Sequence, residues 1–122
     1  MSLHQSGEDY LEAIFVLREQ HGVVHSIDVA QHLGYSKPSV SRAVSVLKTE
    51  GYLTMEKDGR LELTQTGIDV ARNIHERHQF LKGWLVRLGV SPETAEEDAC
   101  KIEHNISDET FQCLKRHGER EG

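Results

Sequence analysis

Cys100, Glu103 and His104 stand at i, i+3 and i+4 in the segment Asp98-Ala99-Cys100-Lys101-Ile102-Glu103-His104. On a helix, all three side chains leave one face within a single turn. A thiol, a carboxylate and an imidazole converging in this way can hold a transition metal ion. Three donors do not fill a coordination sphere, so other elements must supply the rest. Asp9 and Glu12 lie one turn apart near the start of the chain, and His75 and His78 one turn apart further on. Each also has a plainer explanation. Asp9, in a first turn, answers the helix dipole, Glu12 reads as a solvated carboxylate, and a histidine on a helix is often polar surface.

The first element that could position these groups is an amphipathic helix over residues 7–21. Leu11, Ile14, Phe15, Val16 and Leu17 lie at helical spacing, and Ser6 is a cap. His21 to His25 breaks it. Ser26 caps a short helix from Ile27 to Leu33, Gly34 supplies the turn, and Ser36 caps a second helix that opens with Lys37 and Pro38 and runs to about Glu50. Two helices joined by a glycine-containing turn make a helix-turn-helix unit. Val40, Ala43, Val44 and Leu47 face inward, which leaves Lys37, Ser39, Ser41, Arg42, Ser45 and Lys48 pointing away. Such side chains bond phosphates and base edges. The hydroxyl residues are poor helix formers and would add little to a merely solvated face. Tyr52 to Glu56 reads as a strand, Lys57-Asp58-Gly59-Arg60 as a hairpin turn and Leu61 to Leu63 as the returning strand. This is a wing with Lys57 and Arg60 at its tip.

Thr64 caps a long helical pattern from about Gln65 to Leu88, whose second half must bury Phe80, Trp84 and Leu85. Ser91-Pro92-Glu93 opens the helix that carries Cys100, Glu103 and His104 and ends near Asn105. Ser107-Asp108-Glu109 opens a last helix, with Phe111 and Leu114 as its apolar contacts and a polar tail, 115–122, expected to fray. The predicted fold is mainly α. Residues 1–64 form a winged helix-turn-helix with a small β-wing, and residues 65–122 form a helical part.

Composition narrows the class. The chain has 122 residues, 37% of them hydrophobic and 28% charged, as in ordinary globular proteins. No apolar run approaches the ~20 residues of a membrane span. The first residues lack the basic and apolar regions of a signal peptide. Two cysteines make no disulfide framework, and a reduced, cytoplasmic setting is expected. The formal net charge of −6 looks wrong for a DNA-binding protein, whose affinity rests on cancelling phosphate charge, but its distribution matters more than the sum. Lys37, Arg42 and Lys48 fall in a stretch without acids, while Glu93, Glu96, Glu97, Asp98 and Glu103 gather near the candidate ligands.

With these segments in view, the chain resembles the iron- and manganese-responsive repressors typified by the diphtheria toxin repressor and the manganese transport regulator. The resemblance is carried by Glu8-Asp9-Tyr10-Leu11-Glu12-Ala13-Ile14, the helix-turn-helix from Ser26 to Leu47, Leu63-Thr64-Gln65-Thr66-Gly67, Arg77-His78 and Cys100-Lys101-Ile102-Glu103-His104. It covers nearly the whole chain and leaves out the SH3-like third domain of longer members. It implies a cytoplasmic homodimer, active on operator DNA when metal-loaded, that controls metal homeostasis and needs no membrane or organic cofactor. The operator would be palindromic, to match paired recognition helices. The implied ligands are Asp9, Glu12, His78, Cys100, Glu103 and His104. The implied DNA contacts are Lys37, Ser39, Ser41, Arg42, Lys57 and Arg60. The metal would join the first helix to the dimerisation helices, turning repulsion among Asp9, Glu12 and Glu103 into coordination.

Two positions depart from the family pattern. The manganese regulators have carboxylates at the positions of Asp9 and Cys100; the iron repressors have a methionine and a cysteine. This chain mixes the two, and its softer thiolate tilts the choice slightly toward Fe(II) over Mn(II), with Co(II), Ni(II) or Zn(II) able to bind in vitro. Cys100 could serve through its sulfur or through its backbone carbonyl. Lys82 stands where the iron repressors place an acidic ligand of an ancillary site, so one metal or two remains open, with Glu96 as a partial substitute. Three other readings compete: a winged-helix regulator that answers a small organic ligand without metal, a metal-dependent hydrolase, and a purely structural interaction domain. The second lacks a separate nucleophile or general base. The third leaves the hydroxyl-rich recognition helix unexplained.

Overall fold

The computed structural model describes residues 5–121, and the side chains of residues 6–119. The elements are α1 (Gln5–His21), α2 (Ser26–Leu33), α3 (Lys37–Thr49), β1 (Leu53–Met55), β2 (Leu61–Leu63), α4 (Gln65–Arg87), α5 (Pro92–Glu103) and α6 (Asp108–Glu121). They form two compact units, one ending at Arg72 and the next beginning at Asn73, with the division inside α4. Among the described residues, no helix is long and apolar enough to cross a membrane.

The first unit is a winged helix-turn-helix. Leu11, Ile14 and Leu17 of α1 share one core with Val29 of α2, with Val40, Val44 and Leu47 of α3, and with Leu53, Leu61 and Leu63 of the wing. Full burial of one such side chain contributes roughly 1.5–3 kcal/mol before the entropy of ordering is set against it. The local geometry of α3 follows its sequence. Ser36 Oγ accepts from the Ser39 N–H at 3.3 Å, and proline sits in the first turn. Gly34, at φ 74°, makes the left-handed turn between α2 and α3. α2 begins one residue earlier than Ser26 implies. His25 is its N-cap, because the Asp28 carboxylate reaches back to accept the His25 N–H at 2.8 Å. α1 already includes Ser6, so that serine is not a cap.

The wing is a two-stranded antiparallel sheet with Leu53 opposite Leu63, Thr54 opposite Glu62 and Met55 opposite Leu61. Its hairpin closes with the Glu56 N–H donating to the Arg60 carbonyl at 2.9 Å. Thr64 then ties the wing to α4. Its hydroxyl donates to the Gly51 carbonyl at 2.7 Å and accepts the Gly67 N–H at 3.1 Å. Gly67 is needed here because a Cβ would lie 2.0 Å from the Tyr52 carbonyl oxygen.

The second unit packs Ile74 and Leu81 of α4, Ala95 and Ala99 of α5 and Phe111 of α6 into its interior. Phe80 meets Phe111 edge-on at 5.8 Å and lies against Trp84 at 6.2 Å between centroids. Ser91 and Ser107 cap α5 and α6, accepting the N–H groups of Thr94 and Thr110 at 3.4 and 3.1 Å. The polar tail lies in α6, which continues to Glu121, while Gly122 lies outside the described residues. The continuation has packing reasons. Gly118 is so close to Phe80 that a Cβ would meet its ring at 2.7 Å, and Lys115 pairs with Glu76.

Candidate metal centre

α5 brings Cys100, Glu103 and His104 together. The helix ends at Glu103 rather than near Asn105, but His104 keeps a helix-like backbone (φ −90°, ψ −8°) and stays on the same face. The ligand atoms of the three residues lie within 4.8 Å of one another. Glu103 is wholly buried, and the His104 side chain is 1% exposed. Cys100 is half-buried.

The Glu103 carboxylate is the centre of this arrangement. Its Oε2 meets His78 Nδ1 at 2.7 Å. Its Oε1 approaches His104 Nε2 to 3.3 Å but accepts no hydrogen bond. A buried carboxylate oxygen without a hydrogen bond is costly, and a cation is the usual compensation. A soft thiol, an imidazole and a carboxylate around such an oxygen suit a divalent transition ion. The residues present therefore fit the metal that the sequence implies.

His78, on α4, reaches across to α5 with both ring nitrogens. While Nδ1 faces Glu103, Nε2 meets Glu96 Oε2 at 2.9 Å. The Glu103 hydrogen bond raises the imidazole pKa to about 9; burial opposes the rise, and the Glu96 hydrogen bond adds to it. Glu96 also pairs with Lys82 Nζ at 3.0 Å. Burial works to raise the Glu96 pKa, but hydrogen bonds from Lys82 and His78 outweigh it and hold that carboxyl below its ordinary value.

Arg77 is a functional candidate that residue spacing did not reveal. It is buried, and its Nη1 donates to the carbonyls of Glu103 at 3.0 Å and Ile106 at 2.9 Å. Its guanidinium stands 5.3 Å above the Phe111 ring. The Glu103 carbonyl is at the end of α5, where unsatisfied acceptors and the negative end of the dipole favour a cation, and Ile106 lies in the turn toward α6. The one sequence signal was its place beside His78.

The other named residues lie in the first unit. Asp9 and Glu12 are half-buried on α1. Lys37, Ser41 and Arg42 are exposed on α3. Ser39 is half-buried and engaged at the cap, where Ser36 Oγ donates to its Oγ at 2.9 Å. Lys57 and Arg60 are exposed in the wing turn. The Arg60 Nε donates to Asp58 Oδ1 at 3.1 Å. The backbone N–H of Arg60, followed by its side chain, holds the Asp58 carboxyl below its ordinary value.

Two family models match the chain, and they meet before the start of α4 rather than inside it. Residues 2–61 match the family described as "Iron dependent repressor, N-terminal DNA binding domain", and residues 64–119 match "Iron dependent repressor, metal binding and dimerisation domain". The transcriptional regulator MntR of Escherichia coli O6:H1 is 36% identical over 115 residues, covering 94% of this chain and 74% of that protein. An uncharacterized HTH-type transcriptional regulator of Methanocaldococcus jannaschii is also 36% identical, over 93% of this chain and 92% of its own. Among solved structures, the manganese regulator SloR superposes with a TM-score of 0.83 at 26% identity over 98% of this chain. This chain spans 55% of the length of that structure.

Proposed function

Since the chain belongs to the iron-dependent repressor family of metal-dependent transcriptional regulators, we propose that it is a homodimeric repressor that closes on a palindromic operator when a divalent metal binds at Glu103. The observation that carries this reading is the buried Glu103 carboxylate, one oxygen without a hydrogen bond, grouped with the donor atoms of Cys100 and His104 within 4.8 Å. We propose His78 from α4 and Asp9 and Glu12 from α1 as the further ligands. A bound divalent ion would supply the positive charge that lets these carboxylates share one site. The mixed oxygen and sulfur set favours Fe(II) slightly over Mn(II).

The chain's own residues do the rest. Arg77 holds the carbonyls of Glu103 and Ile106, so Glu103 and His104 keep their places. Glu96 accepts from His78 Nε2, which fixes the imidazole with Nδ1 toward Glu103. On α3, Lys37, Ser39, Ser41 and Arg42 are assigned to the major groove and its phosphates; Lys57 and Arg60 on the wing are assigned to the backbone. Metal that favours the DNA-competent state must in turn bind more tightly on DNA, with a coupling of ~1–3 kcal/mol.

The test is fluorescence anisotropy on operator DNA under anaerobic conditions, titrated with Fe(II), Mn(II), Co(II) and Zn(II). Wild type gains affinity several-fold to over a hundredfold on metal loading, and Glu103→Ala loses the gain. Equal affinity with and without every metal would return the field to a regulator that answers an organic ligand. Arg42→Ala lowers affinity by ~1–3 kcal/mol if it reads a base edge, and Lys57→Ala lowers the salt slope by about 1.

A further inference from the structure

The second unit holds a cation of its own beside the candidate centre. His78 Nε2 and Lys82 Nζ both meet the same oxygen, Glu96 Oε2, at 2.9 and 3.0 Å. Lys82 stands one turn after His78 on α4, so both reach α5 from one helix face. An imidazole and a carboxylate side by side, next to a second carboxylate at Glu103, are donors that could take another divalent ion. In this chain the place at Glu96 is taken by an ammonium. An ammonium is a compact charge with three donors and no acceptor. It satisfies Glu96 as a metal would, and it repels any divalent ion that approaches the same oxygen.

We propose that Lys82 supplies the second cation of this centre, so that each protomer takes up one divalent ion and Glu96 serves His78 from outside the coordination sphere. This rests on the metal-dependent reading above and adds a count to it. The attraction of an exposed lysine for a carboxylate is modest in itself. What matters is the tether: α4 keeps the positive charge at Glu96 at a local concentration that a dissolved ion must overcome.

The count is measured by anaerobic equilibrium dialysis of the full chain against Mn(II) and against Co(II), with metal per protomer read by atomic emission. Wild type and Lys82→Arg bind one ion. Lys82→Glu, which replaces the ammonium with a donor, binds two. Glu96→Gln still binds one, ~10–100-fold more weakly, as loss of an orienting partner does. Mn(II) electron paramagnetic resonance gives an independent readout: a spectrum of isolated ions for wild type, and a broadened, coupled spectrum for Lys82→Glu. Two ions on the wild type, or one on Lys82→Glu, would overturn this inference and leave the metal-dependent reading standing. No ion on any of the proteins would overturn both.

Discussion

At the scale of single residues, Cys100 and His78 make the sharpest claims. If the Cys100 sulfur is a ligand, Co(II) loaded without oxygen gives a thiolate-to-metal charge-transfer band. That band survives Cys113→Ser, because Cys113 is an exposed thiol on α6, and is lost in Cys100→Ser. A wild-type spectrum without it would leave Cys100 only its backbone carbonyl. His78 predicts a pH dependence for the metal-free protein. Its pKa is raised from 6.5 to about 9 in the folded chain. The protonated form is therefore the one that folding stabilises. Its contribution is complete below about pH 6.5 and fades as the pH rises through about 9. Urea unfolding in the presence of chelator should show a midpoint that falls across this window, and His78→Gln should flatten the fall. A wild-type midpoint that holds steady from pH 6.5 to 9 would refute the assignment.

At the scale of elements, the junction of wing and long helix is the least forgiving point. Gly67 admits no side chain, since a Cβ would lie 2.0 Å from the Tyr52 carbonyl oxygen. Gly67→Ala should cost ~1–3 kcal/mol of stability, the usual range for overpacking a tight contact. Thermal unfolding measures it, and an unchanged midpoint would mean that the junction relaxes without strain. Local signals made most elements legible in the sequence. Ser36, Ser91 and Ser107 each cap the helix their position foretold, and the wing's returning strand runs from Leu61 to Leu63 as its alternation implies. Misreadings arose where a neighbour decided the outcome. Asp28 moves the N-cap of α2 to His25, and Gly118 lets α6 pack closely on Phe80 within its polar tail. The candidate centre divides in the same way. Cys100, Glu103 and His104 were visible because they share one turn. The bond of Arg77 to the Glu103 carbonyl spans 26 residues, and no periodicity reports such a contact.

At the scale of the whole molecule, the balance of charge is the organising fact. In a chain of net charge −6, α3 exposes Lys37, Arg42 and Lys48, and the wing turn exposes Lys57 and Arg60. Five acids, Glu93, Glu96, Glu97, Asp98 and Glu103, fall on the single helix α5. A protein of this kind gains sequence preference by holding non-specific attraction to DNA low and making tight binding conditional.

The Arg77 clamp has a consequence for how quickly such a molecule can respond. Its two bonds to main-chain carbonyls, and the caps at Ser91 and Ser107, hold the segment around Glu103 with groups that are all part of the chain. The second unit should thus assemble before any ion arrives, unlike small zinc domains whose binding energy is their folding energy. Stripping the metal should leave the far-ultraviolet circular dichroism of the chain unchanged within a few per cent; loss of a helix's worth of signal would contradict this. The delay between a rise in ion concentration and a change in occupancy is then set by ligand exchange at a ready-made seat, with no folding step to wait for.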